Sequence, residues 1–150
     1  MATAITNSTQ LDIFNEIKTA LLKSPTISGK FKSNNFYEFE PTMKDIITKS
    51  TYPYIVIKVP ELETSTLTID DVSTKNPTVI ITMVLEWEAR NNFRTYANAI
   101  IDMIETHSAD FEPKGYYKPD ISTDSTTDNI DSKQFVVGIF TVNFMGYISR

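Results

Sequence analysis

The spacing of apolar and polar positions divides this chain into an amphipathic helix, two strands, a second helix and two further strands, the last of them long. Leu11, Phe14, Ile17 and Leu21 recur three and four residues apart, with Ile13 and Ala20 widening the stripe, as in a helix with one buried face. Asn7, Ser8 and Thr9 offer N-cap side chains, and Asp12 and Glu16 precede Lys18 and Lys23 in the order the helix dipole favours. Ser24-Pro25 then stops the run, which predicts a helix over 9–23. Phe36, Tyr37 and Phe39 read as a short strand between Asn34-Asn35 and Pro41, and Tyr54–Val59 as a β-branched strand between Pro53 and Pro60. A longer strand follows over 78–88, its end alternating Leu85 and Trp87 with Glu86 and Glu88. Asn91 or Asn92 caps a helix over 92–106, with Phe93, Ala97, Ile100, Ile101 and Ile104 on its apolar face. Gly115-Tyr116-Tyr117-Lys118 starts a strand toward Ile121, after which 122–132 has too little apolar surface to bury and reads as a mobile loop. Lys133 to Ser149 is a long apolar strand punctuated by Gly138 and Gly146.

The predicted order, α-β-β-α-β-β, describes one α+β domain over 1–150: a mainly antiparallel sheet with two helices packed on one face. A strand over 134–148 would extend roughly 50 Å at about 3.3 Å per residue, whereas a compact domain of this size is about 40 Å across. That strand therefore bends at its glycines or projects, and projecting apolar residues need a partner. The polar stretches at about 61–77 and 119–132 also exceed ordinary connections of ~4–6 residues. Both features favour a protein that works in an assembly.

Composition narrows the chemistry. The chain has 150 residues and no cysteine, which excludes disulfides, thiolate nucleophiles and zinc ribbons, and its one histidine leaves no pair for a metal site. The net charge of −5 argues against a general nucleic-acid binder, but it is unevenly placed. Residues 1–58 carry seven lysines against five acids, and 59–150 carry seven basic residues against fourteen acids. Glu61, Glu63, Asp70 and Asp71 fall in one window free of Lys and Arg, and Asp120, Asp124, Asp128 and Asp131 in another. The two windows together contribute −8 to a body near +3. Solvated polar loops explain this most simply. No leader or membrane-spanning run is evident, so a soluble protein made in a cytoplasm is expected.

Few constellations point to catalysis, and no cofactor is implied. His107 lies beside Glu105 and Asp110, where a cation at a helix C-terminus is the simpler reading. Glu86 and Glu88 share a strand face, as alternation alone requires. The acidic windows lack the glycine and closing glutamate of an EF-hand, and four scattered glycines assemble no phosphate loop. Arg90 and Arg94 are expected to pair with Glu86 or Glu88. Trp87 is either an interface residue or packed under the following helix.

The sequence resembles the tail-terminator proteins of long-tailed phages, also called tail-completion or tail-to-head joining proteins. The matching pieces are the opening helix to Lys23, Tyr52-Pro53-Tyr54-Ile55-Val56-Ile57, the strand ending Leu85-Glu86-Trp87-Glu88, the helix over 92–106 and the closing strand. The match in element order covers most of the chain, although the 26–50 segment and the 119–132 stretch are long. The resemblance implies a homo-hexameric ring on the last ring of the tail tube, at the head-proximal end of a virion tail. Such a ring stops tube growth and contacts the tail tube protein and the head-neck connector, with double-stranded DNA only in transit. It carries no catalytic residues. If the acidic windows faced the channel, six copies would present about −48 formal charges to passing DNA, repelling it from the wall. Trp87, Arg90 and Arg94 are candidate subunit-interface residues. Another head–tail interface ring (a neck or head-completion protein) or a tail tube subunit fits nearly as well. A cellular ligand-binding or adaptor domain, using the aromatics of 36–54 as a pocket, is a third reading.

Overall fold

The computed structural model describes residues 4–5, 7–39, 53–59, 72–75, 77–130 and 133–149. Among them are four α-helices: α1 (Asn7–Leu22), α2 (Pro25–Ser28), α3 (Phe93–Thr106) and α4 (Ser108–Phe111). Seven strands form one sheet: β1 (Ala4–Ile5), β2 (Phe36–Tyr37), β3 (Tyr54–Lys58), β4 (Val72–Lys75), β5 (Thr78–Glu86), β6 (Tyr116–Ile130) and β7 (Lys133–Ser149). The fold class is α+β, as expected. The simple order α-β-β-α-β-β is not: short helices are added, and the sheet is mixed, since β1 pairs with β7 and β2 with β3 in parallel.

The 17-residue β7 organises the sheet. One of its edges pairs antiparallel with β5 from Thr78–Asn143 to Glu86–Phe135, and β4 continues that edge in the same register, Val72 to Lys75 against Ser149 to Gly146. Its other edge pairs antiparallel with β6, from Tyr116–Gly146 to Ile130–Lys133, and β1 joins it at Tyr147 and Ile148. The expected problem of an over-long strand is therefore met by flanking it on both sides.

Alternation along the strands separates two faces. Ile55, Ile57, Val79, Ile81, Met83, Leu85, Phe140, Val142 and Phe144 face the helices and pack with Ile13, Phe14, Ile17, Ala20 and Leu21 of α1 and Tyr96, Ala97, Ile100 and Ile104 of α3. The opposite face carries a smaller cluster, Tyr54, Val56, Val84 and Phe135, with Tyr37 and Val137 against it. Ion pairs Lys114–Asp12 (3.7 Å) and Lys23–Asp110 (3.9 Å) tie α1 to the segment after α3. Both are partly exposed and contribute little to stability. No helix among the described residues is long and apolar enough to cross a membrane.

The largest departure from the sequence reading lies at 119–132. Its described part, through Ile130, is not a loop but most of β6, paired residue for residue with β7. Residues 122–129 are exposed on both faces, so no burial pattern marks them. They form a strand because an already extended neighbour offers a ladder of backbone groups. The long polar stretch at 61–77 likewise contains β4. The strand expected over 78–88 ends at Glu86, and Trp87 opens a 3-10 helix over Trp87–Asn92 instead.

Candidate functional site

β6 enters the sheet through a distortion. Gly115 adopts φ 93 at the end of the short 3-10 turn Glu112–Lys114, a conformation that glycine alone adopts freely. Tyr116 and Tyr117 pair with Gly146 and Met145, but Asp120 pairs with Asn143, so Lys118 and Pro119 together oppose Phe144. This is a β-bulge, with Lys118 at φ 49 and proline placed where no ladder donor is required. Past the bulge β6 runs regularly to the hairpin and pairs with β7 only, so that among the described residues no strand lies on its far side.

Residues opposite each other in an antiparallel ladder share a face. Asp120, Asp124 and Asp128 oppose Asn143, Ile139 and Phe135, and so lie in one row on the face away from the helices. The Asp124 and Asp128 carboxylates each accept a hydrogen bond from the next backbone N–H, Ser125 and Asn129, at 2.8 Å. Asp131, Glu61, Glu63, Asp70 and Asp71 lie outside the described residues.

On the helix side, β6 and α3 leave a groove of about 460 Å³ between them. Its floor is apolar (Phe93, Ala97, Ile101 and Phe140), its α3 rim carries Arg94 and Asn98, and its β6 rim carries Thr123, Asp124 and Ser125. Gly138 lets the Phe93 ring of the groove floor lie close over β7: a Cβ there would lie 2.7 Å from Phe93 Cε2. At the opposite end of the strand order stands β2, followed by Phe39, which is 81% exposed. Lys30 and Lys32, both exposed, precede it.

The other candidates divide. Arg90 pairs with neither Glu86 nor Glu88: its guanidinium stacks 4.5 Å over the half-buried Trp87 ring, and its Nη1 donates to the Trp87 carbonyl at 3.0 Å. Arg94 is exposed on the α3 rim of the groove, on the other side of the sheet from the aspartate row and apart from Trp87. His107 caps the C-terminus of α3, its Nδ1 3.3 Å from Asp110. Among the described residues no group of three or more His, Asp or Glu converges as metal ligands do. Sequence reasoning missed the groove and the exposed Phe39. The signal available was Gly138 within an otherwise bulky strand, a mark of close approach. No protein-family profile matches the chain, and no curated protein matches it in sequence.

Proposed function

We propose that this chain is a structural virion protein that forms a ring capping a phage tail tube, ending tube growth and offering the head a docking surface. The observation that supports it is the β6–β7 hairpin: a long strand pair whose outer edge meets no other strand among the described residues and is polar and exposed on both faces over 122–129. A regular free edge is a template for another chain, and heterologous contacts of this kind close into rings when the rotation fits. The element order carries the resemblance to tail-terminator proteins. In such a ring, turning the helix-free face inward brings Asp120, Asp124 and Asp128 of every copy to the channel wall, where they repel the DNA backbone. The role requires no catalytic residue.

Two measurements test this. Light scattering of the purified full chain should show a particle near 102 kDa, six times 17.0 kDa; a chain that stays monomeric both alone and with assembled tail tubes overturns the ring. Particles assembled without the protein should show overlong or headless tails. Tail-less, leaking heads would instead assign it to the neck, and normal particles would remove it from the virion.

A further inference from the structure

We infer that residues 122–129 of β6 are a strap that lifts off β7 as a unit while the rest of the sheet stays folded. The inference concerns the single subunit and does not use the ring reading. The first part of β6 is anchored. Tyr116 is fully buried against Phe144, and Ile121 packs on the core opposite the buried Val142. From Ser122 to Asn129 there is no apolar residue, and every side chain is exposed. On the helix side Thr123, Ser125 and Thr127 stand opposite Phe140, Gly138 and Val136, and the groove separates Thr123 and Ser125 from α3. Burying one aliphatic side chain shifts an opening equilibrium about 10- to 100-fold, and this segment buries none.

Its polar contacts are local as well. Asp124 and Asp128 accept from the N–H groups of Ser125 and Asn129, and the Thr126 hydroxyl donates to the Thr127 carbonyl. Among the described residues no side chain of the strap bonds outside it. The ladder to β7 is what holds it, and that ladder has a parity. With the Ser125 and Asn129 N–H groups turned to the aspartates, Asp124, Thr126 and Asp128 form the bonded pairs with Ile139, Val137 and Phe135. The alternate β7 residues Val136, Gly138 and Phe140 then bond β5. The bulge at Lys118 and Pro119 interrupts the ladder between the strap and Tyr116, so lifting the strap does not pull on the buried ring. Lifting removes the β6 wall of the groove and bares the Phe140 ring and the β7 backbone edge, while the core of β3, β5, α1 and α3 keeps its packing.

Residue-resolved amide hydrogen exchange of the full chain tests this. Asp124, Thr126 and Asp128 of the strap, with Val137 and Ile139 of β7, should exchange about 100-fold or more faster than Val136, Gly138 and Phe140. Protection should therefore alternate along β7. The fast set should be nearly insensitive to low urea, which promotes openings in proportion to the surface they expose, whereas the slow set should quicken with urea. Ile17→Val, a conservative change at a fully buried position of α1, should lower protection of the slow set about 2- to 10-fold. It should leave the fast set unchanged, because the strap lifts with that core intact. Equal protection in the two sets, a shared urea dependence, or a fast set that follows Ile17→Val would each overturn the strap. Light scattering decides the ring separately, so either reading can fail alone.

Discussion

Substituting Gly138 tests the packing on which the groove depends. Gly138 lies in β7 between Met83 of β5 and Ser125 of β6. A Cβ built there meets Phe93 Cε2 at 2.7 Å, Phe93 Cζ at 2.9 Å and Phe140 Cε1 at 3.3 Å. Carbon contacts relax at roughly 3.5–4.0 Å, so the Phe93 ring must retreat by about 1 Å. It is the half-buried tip of a side chain in the first turn of α3 and can swing toward the groove without moving backbone. The cost therefore falls low in the ~1–3 kcal/mol range of overpacked sites, and alanine's smaller unfolded-state entropy returns about 0.4–1 kcal/mol. Gly138→Ala should lose up to about 1 kcal/mol, measured as a lower urea midpoint at unchanged slope. In a Phe93→Ala background the same change should be neutral or stabilising, a coupling of about 1 kcal/mol or more. Equal costs in both backgrounds would refute the close approach of ring and strand.

Tyr116 is fully buried, edge-on to Phe144 at 5.3 Å, and its hydroxyl has no hydrogen-bond partner among the described residues. Tyr116→Phe should leave thermal stability unchanged or raise it by up to about 1 kcal/mol, since it removes an unsatisfied polar group. Burial holds the phenol above its ordinary value of 10.0. Below about pH 10 both states keep the proton; above it the unfolded chain releases a proton that the folded chain retains, so stability falls as pH rises. A pH series of urea melts should show this alkaline loss in the parent and less of it in Tyr116→Phe. Lys118→Gly should gain up to about 1 kcal/mol by relieving the left-handed backbone at φ 49; a loss there would mean that the lysine side chain matters more than its backbone. Phe144→Ala, which removes the ring between Phe111 and Tyr116, should cost about 3–5 kcal/mol in urea unfolding.

The elements that bury an apolar face were legible in the sequence. Helices expected over 9–23 and 92–106 are α1 and α3 within two residues, and the strand of 133–149 is β7 to the residue. The short strand expected from the aromatics Phe36, Tyr37 and Phe39 is present at Phe36 and Tyr37 only, where Phe36 belongs to the core. The parallel pairing of β1 and β2 was not legible, because two-residue strands take their direction from a partner distant in sequence. Trp87 was placed on a strand by its alternation with Glu86 and Glu88. The chain turns there because a 3-10 helix lets Arg90 stack on the ring and bond its carbonyl.

β6 shows most plainly why the candidate site was hidden. Ser122 to Asn129 contains no apolar residue, and every side chain there is exposed, so neither composition nor period distinguishes it from a solvated loop. Its strand state resides in β7, whose apolar residues hold an extended edge fixed from Gln134 to Met145 and leave the backbone of β6 a ladder to join. A strand made only by its neighbour contributes little to the core, and its sequence is correspondingly free to serve another purpose. Threonine and serine retain extended backbone, while aspartates every fourth residue keep an open edge from pairing with arbitrary chains. The polar stretch that sequence alone assigns to solvent is, in the folded molecule, the outer strand of the β6–β7 hairpin.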